Sequence, residues 1–293
     1  MRRVTMPASS IGQAVGGMFA FPFMVNALAA GTIVAVVAGV IGWFMVFRRQ
    51  SFAGHALAVV GFPGAAGAVL LGVAAAYGYL TFCIGAALVI AVLPSGQTRG
   101  RTEESAVTGT VQAFALACGF LFVSLYHGFL TGINALLFGS IVGITSGQVL
   151  LLFVVGAATL AVLAVIGRPL LFASVDPAVA GARAVPVRAL SVIFLVLLGA
   201  AVAEASQITG TLLVYALLVA PPATAQLLTS RPALGLVLSP LIGLGVTWVG
   251  LSLAFYWPYP AGFFITTLAF AGYVAAREVR GQRVRRSLSA SVG

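Results

Sequence analysis

The sequence predicts an all-α protein that crosses a membrane many times. Apolar residues make up 61% of the 293 positions and charged residues only 7%, whereas soluble domains carry roughly 25% charged residues. The mean hydropathy is +1.14. Apolar stretches of about 20 residues, each long enough to cross a bilayer, recur along the chain. So few charged side chains could not cover the surface of a water-soluble fold of this length.

The apolar stretches fall into nine segments, which predict a bundle of about 8–10 spans. They lie at 24–47, 56–76, 79–93, 107–124, 149–167, 189–206, 211–228, 234–255 and 262–276. The chain then divides into an N-terminal flank (1–23), a transmembrane domain (24–276) and a basic tail (277–293). Residues 8–22 of the flank fit an amphipathic stretch in the plane of the membrane.

The basic residues predict the orientation of these segments. All 15 are arginines, and they give a net charge of +10. From the third segment onward they occupy alternate gaps, at 99–101, 168–188, 231 and 277–286, whereas the gaps 125–148, 207–210 and 256–261 hold none. Since basic residues stay on the cytoplasmic side, the arginine gaps and the C-terminus are predicted to be cytoplasmic. This alternation favours topology over nucleic-acid binding as the reason for the charge.

The orientation of the N-terminus has two solutions. Arg48 and Arg49 fit the same rule when they are cytoplasmic, and nine spans then put the N-terminus outside. Merging one early segment puts it inside.

A polar stretch between the fifth and sixth segments predicts a short cytoplasmic helix. Asp176 suits the N-cap and Pro177 the first helical position. Pro186 is expected to end the helix. A segment of this kind (174–187) offers a docking surface for a soluble partner, and the alternative is a simple solvated loop.

Few ionisable residues are available for a transport path. Among five acidic residues only Glu204 lies within a span, near its outer end. A charged residue at the centre of a span costs about 2.5–3.5 kcal/mol, so Glu204 is a functional candidate. The alternative is a side chain that only reaches the outer interface. His127, at the outer end of the fourth segment, could face the entry to the path.

Two segments contain helix-breaking residues, Pro63–Gly64 in the early half and Pro221–Pro222 in the late half. Paired interruptions of this kind mark substrate pathways in transporters. The alternative is close packing of helices through small residues.

The chain has no ATP-binding loop. GxxxxGK[ST] requires a lysine, and the sequence has none. No catalytic triad or HExxH motif occurs either. We therefore expect a transport subunit rather than an enzyme, with any ATP hydrolysis on a separate chain.

Four stretches together resemble the permease subunit of the zinc, manganese or iron chelate type of ABC importer. They are FRRQSFAGHALAVVGFPGAAGAVLLG (47–72), LLFGSIVGIT (136–145), DPAVAGARAVPVRAL (176–190) and ITGTLLVYALLVAPPATAQLL (208–228). The resemblance covers about residues 25–276. It implies a type II importer bundle in a prokaryotic plasma membrane. His55 lies where the family has a histidine, which makes it a candidate for the transport path or its gate. The alternative is a histidine that only packs against its neighbours.

The resemblance also implies the partners and the coupling residues. These are an ATPase that binds ATP, an extracytoplasmic metal-binding protein and a second copy of the chain. The transported divalent metal would pass through the chain, which itself binds no cofactor. The residues expected to form the helix that touches the ATPase are Asp176, Pro177, Ala180, Arg183, Val185 and Pro186.

One position departs from the family pattern. Where the family carries an aspartate four residues before the histidine, this chain has Ser51, which supplies no carboxylate. This departure leaves open a siderophore- or cobalamin-type permease. A stand-alone secondary carrier is a third alternative.

Overall fold

Ten α-helices make up the described part of the chain, which contains no strand. The computed structural model describes residues 19–93, 101–126, 143–211 and 214–292. The helices are α1 (Pro22–Phe47), α2 (Ser51–Leu70), α3 (Ala75–Val92), α4 (Arg101–Leu125), α5 (Ser146–Val175), α6 (Pro177–Ala182), α7 (Val187–Thr209), α8 (Val214–Leu228), α9 (Pro232–Tyr256) and α10 (Ala261–Val292). This architecture confirms the predicted fold class.

Each of the nine predicted apolar segments overlaps one of the long helices. Seven helices of the described chain, α1 to α5, α7 and α9, are long and apolar enough to cross a membrane. The seventh segment forms α8, which has only 15 residues and a length of about 22 Å, short of the roughly 30 Å of hydrocarbon. The ninth segment forms the first half of α10, which continues into the arginine-rich tail.

Three helices form the interior of the bundle. In α1, α2 and α7 at least 67% of the most apolar 18-residue stretch of the helix is buried, whereas in α5 only 22% of that stretch is buried. Helix α1 packs against α5, α7, α8 and α9, whereas α2 packs against α3, α4 and α7. The helices that carry the predicted site residues Ser51, His55 and Glu204 are therefore central.

The close approach of α1 and α9 depends on small residues. A Cβ at Gly39 would lie 2.5 Å from the Cα of Pro240. Beside this contact the Ser239 hydroxyl donates to the Gly39 carbonyl oxygen at 2.6 Å. Such backbone contacts and interhelical hydrogen bonds drive packing in a membrane, where apolar burial gives no preference for one helix face.

Candidate functional site

Glu204 is completely buried near the end of α7. Its residue exposure is 0%, and neither carboxylate oxygen has a hydrogen-bond partner in the described part of the chain. A Cβ at Gly156 of α5 would lie 3.4 Å from Oε1 of Glu204 and 2.9 Å from Val37 of α1. The carboxyl group thus lies between α1, α5 and α7. The alternative in which it reaches the outer interface is wrong.

Further polar side chains follow Glu204 along the chain. Ser206 and Thr211 are buried, and a Cβ at Gly61 of α2 would lie 3.4 Å from the Ser206 hydroxyl and 3.2 Å from Thr211. The buried oxygens Oε1 of Gln207 and Oγ1 of Thr211 have no hydrogen-bond partner among the described residues. Four polar residues at or just beyond the end of α7 therefore lie inside an apolar bundle, with Glu204 facing α5 and with Ser206 and Thr211 facing α2.

The sequence predicts Glu204 as a site residue because of its charge. Ser206, Gln207 and Thr211 carry no charge and were not predicted. The spacing of Glu204 and Gln207 would have been a usable signal, because residues three apart lie on one helical face.

A second polar cluster lies at the start of α2. The His55 and Tyr215 rings meet edge to face, with centroids 5.1 Å apart, and the hydroxyl groups of Ser51 and Tyr215 share a hydrogen bond. Ser51 is the first residue of α2 and His55 lies one turn later. The serine in place of the family aspartate therefore belongs to a cluster with Tyr215, a residue that reasoning from the sequence did not single out.

The structure gives the predicted ligands different neighbours. His55 meets α8 through Tyr215, whereas Glu204 lies against α1 and α5. Within the described ranges no group of three or more His, Cys, Asp or Glu side chains could hold a metal ion. His127 lies outside the described residues. Among the described residues the arrangement offers an oxygen ligand and a nitrogen ligand at separate places, and no closed tetrahedral set.

The breaks predicted at the prolines are absent, and this prediction is corrected. Helix α2 continues through Pro63, and α8 continues through Pro221 and Pro222. Close packing surrounds one of the carbonyl groups that these prolines free. Pro222 frees the carbonyl of Leu218, whose oxygen lies directly against Gly42 of α1.

The same close packing surrounds the early proline. Gly64 of α2 and Gly78 of α3 touch reciprocally, each against the backbone carbonyl of the other. The alternative of close packing through small residues therefore describes both positions better than a polar cavity does.

The short helix predicted before Pro186 is present as α6. The Asp176 carboxylate accepts from the backbone N–H groups of Ala178 at 3.1 Å and Val179 at 3.0 Å, and Pro177 is the first helical residue. The expected N-cap and first position are both confirmed. The simple solvated loop is excluded.

The end of α6 differs from the prediction. The helix stops at Ala182, before Pro186 is reached, and Pro186 instead precedes α7 as its N-cap residue. The N–H of Val185 donates to the Ala180 carbonyl at 3.0 Å and that of Ala184 to the Gly181 carbonyl at 3.0 Å. These bonds form a Schellman motif, and Ala184 adopts the left-handed φ of 60° that it requires.

The surface of α6 is open to solvent. Asp176, Pro177, Val179 and Arg183 are exposed, whereas Ala180 is buried against the bundle. Val185 is half-buried. Most of the segment 174–187 is thus available to a partner.

Comparisons with known proteins agree with this architecture. The profile of the ABC 3 transport family matches residues 20–279. The chain is 29% identical over 252 residues to the manganese import system permease protein ScaB of Streptococcus gordonii, covering 86% of this chain and 89% of ScaB. It is 31% identical over 250 residues to the chelated iron transport system membrane protein YfeC of Yersinia pestis, covering 85% and 84%.

Solved structures show the same fold. The chain resembles one in the structure of PsaBC from Streptococcus pneumoniae in complex with Fab, with a TM-score of 0.80, 27% identity and coverage of 91% of this chain and 95% of that one. An inward-facing putative metal-chelate type ABC transporter matches in fold, with a TM-score of 0.63, 19% identity and 87% coverage of each chain. With most of its length matched by the family profile, the chain belongs to the ABC 3 transport family.

Proposed function

We propose that this chain is the membrane permease of an ATP-driven importer of divalent metal ions. The observation that carries the proposal is its similarity, over most of its length, to permeases named for manganese and for chelated iron. Manganese is therefore the first metal to test, followed by iron and by zinc, which the sequence resemblance also implies. The chain itself catalyses no reaction.

The path of the ion passes Glu204 and Gln207, which lie one turn apart on α7. Carboxylate and amide oxygens are ligands suited to Mn²⁺, and Glu204 supplies a buried carboxylate without a competing partner among the described residues. His55, Ser51 and Tyr215 form a second contact point on α2 and α8. Separate, incomplete ligand sets suit a conduit, because an ion held by a closed set would leave slowly.

The exposed α6 segment is the docking surface for the ATPase. Asp176 and Pro177 hold its start, Ala180 anchors it to the bundle, and Arg183 and Val179 face outward. ATP binds to that partner, on the cytoplasmic side with the C-terminus. An extracytoplasmic metal-binding protein delivers the ion on the other side, and two copies of the chain form the permease.

A siderophore- or cobalamin-type permease is the second candidate. The replacement of the family aspartate by Ser51 and the absence of a three-ligand group from the described residues favour it. Such a permease needs no metal ligands along its path.

Metal content of cells tests both candidates. Cells that lack the chain are grown in manganese-poor medium and complemented with wild type, Glu204→Gln or the exposed control Glu278→Gln, with expression matched by immunoblot. We expect cellular manganese to fall without the chain and to recover with wild type and Glu278→Gln but not with Glu204→Gln. Unchanged manganese, iron and zinc with a growth defect on a chelate or corrinoid would replace the first candidate by the second.

A further inference from the structure

We propose that Arg48 is the positioning residue that joins the α6 segment to α1 and α2, so that movement of α6 reaches the helices of the transport path. This inference rests on the proposed function. It adds a residue that transmits the action of the ATPase without touching the ion or the ATPase itself.

The guanidinium group of Arg48 holds three helices at one point. Nη1 donates to the Ser174 hydroxyl at 2.8 Å, Nη2 to the Ser191 hydroxyl at 2.8 Å, and Nε to Oε1 of Gln50 at 3.1 Å. The guanidinium carbon also lies 5.3 Å from the centre of the Phe194 ring. A single planar group thus connects the end of α1 with α5 and α7.

The positions of these partners relate the contact to α6. Ser174 lies in the last turn of α5 and Ser191 in the second turn of α7, and α6 is the helix between them. Any displacement of α6 that moves the end of α5 or the start of α7 therefore acts on Arg48. Gln50 directly precedes Ser51, the first residue of α2, so the displacement also reaches the Ser51–His55 cluster.

Two turns, one beside Arg48 and one at the end of α6, are held in a strained conformation. Arg49, with φ of 58°, and Ala184, with φ of 60°, are the two non-glycine residues with positive φ in the described ranges. Each follows the end of a helix, α1 or α6, and each closes a Schellman motif. In the α1 motif Gln50 N–H donates to the Met45 carbonyl at 3.0 Å and Arg49 N–H to the Val46 carbonyl at 3.1 Å.

Such strain persists only where the surrounding structure fixes the backbone, and it concentrates in regions that switch. Both turns are therefore defined links rather than loose connections. They suit the transmission of a displacement from α6 to α1 and α2.

Arginine is required because the contact depends on shape as well as charge. Its planar fork presents donors to two hydroxyl groups at once, whereas lysine offers a single compact ammonium group on a flexible stem. Replacing Arg48 by lysine preserves the charge and removes the simultaneous bonds to Ser174 and Ser191.

The test uses the assembled importer, permease with ATPase, in liposomes with the binding protein. Mn²⁺ uptake and ATP hydrolysis are measured together, with stimulation of ATP hydrolysis by the binding protein as a second readout that does not depend on the metal. The variants are Arg48→Lys and the double variant Ser174→Ala/Ser191→Ala. Arg49→Lys is the matched control, because it makes the same exchange one residue away at an exposed position.

We expect both variants to lower Mn²⁺ uptake per ATP by about tenfold, the scale of losing one charge-assisted hydrogen bond. Basal ATP hydrolysis stays at the wild-type level, stimulation by the binding protein is lost, and Arg49→Lys behaves as wild type. A ratio of Mn²⁺ uptake to ATP hydrolysis equal to that of wild type in both variants would overturn the proposal. So would a proportional fall of uptake and hydrolysis caused by poor assembly. If wild type takes up no Mn²⁺, the proposed substrate fails, and the stimulation readout still decides the role of Arg48.

Discussion

Replacing Glu204 by methionine is expected to stabilise the protein and to abolish transport. Methionine is unbranched and flexible enough to fill the space of the glutamate side chain. It carries no polar atom that needs a hydrogen bond. If Glu204 served the fold, this replacement would destabilise the protein. If Glu204 is kept for transport, the replacement would not destabilise it.

The magnitude follows from the surroundings of the carboxyl group. Glu204 is 0% exposed, and its two oxygens lack partners in the described structure. A buried polar group without a partner costs about 1–3 kcal/mol, and an acidic residue inside a membrane helix costs about 2.5–3.5 kcal/mol. After allowance for imperfect packing of methionine, we expect a gain of about 2 kcal/mol. At about 2–4 °C for each kcal/mol, the melting temperature rises by about 4–8 °C.

Thermal unfolding of the purified chain in detergent measures the stability, and Mn²⁺ uptake by the reconstituted importer measures the function. Glu278→Met is the matched control, since Glu278 is exposed in α10. It should change neither quantity. A lower melting temperature for Glu204→Met would refute the reasoning, because it would mean that the carboxyl group makes a stabilising contact. Retained uptake would refute the role of Glu204 in the path.

Three further changes test the packing, the cap and the α2 cluster. Gly64→Ala should lower the melting temperature, because the added methyl group overpacks against the α3 backbone at a cost of about 1–3 kcal/mol. Gly85→Ala, with open space around it, should leave the melting temperature unchanged. Equal melting temperatures for the two variants would contradict the contact. Asp176→Ala should remove about 1 kcal/mol of capping energy from α6 and weaken ATPase binding in a pull-down titration. Asp176→Asn should retain ATPase binding, since asparagine also caps helices. Weaker binding by the asparagine variant than by the alanine variant would argue against the cap. Ser51→Asp adds a carboxylate one turn from His55 and should raise the affinity for Mn²⁺, measured by calorimetry, about tenfold, which corresponds to about 1.4 kcal/mol. An unchanged affinity would place the metal elsewhere.

The sequence was sufficient for the helices and for the start of α6, because those features are local. Apolar length alone indicates membrane segments. Asp176 and Pro177 act through their own backbone neighbours. These predictions needed no knowledge of which helices touch.

The sequence could not predict contacts between helices. Most of these helices are apolar on all sides and show no buried stripe. In α7 the spacing of Glu204 and Gln207 indicates a shared face, but it does not say that this face meets Gly156 of α5. The same reason hid Tyr215, which meets His55 from a helix far along the chain. Arg48 was used only as a sign of topology, since its bonds to Ser174 and Ser191 join residues more than a hundred positions away.

The corrected prolines change where the transport path should be sought. A proline in a membrane helix frees one carbonyl, and here the carbonyl freed by Pro222 lies against Gly42 in a helix that continues. An irregular backbone position beside polar side chains without partners among the described residues occurs instead at the end of α7. Gly210, buried and with φ of 74°, ends α7 in a backbone conformation that favours glycine.

Irregular backbone inside a membrane protein is tolerated only where protein buries it or where it lines a cavity. Gly210 and Thr211 are buried, and Thr211 Oγ1 and Gln207 Oε1 lack partners among the described residues. Glu204 lies less than two turns before them. The end of α7, rather than the two proline positions, therefore combines irregular backbone at Gly210 with side-chain oxygens of Gln207 and Thr211 that lack partners among the described residues. Mutagenesis of the ion path should start there.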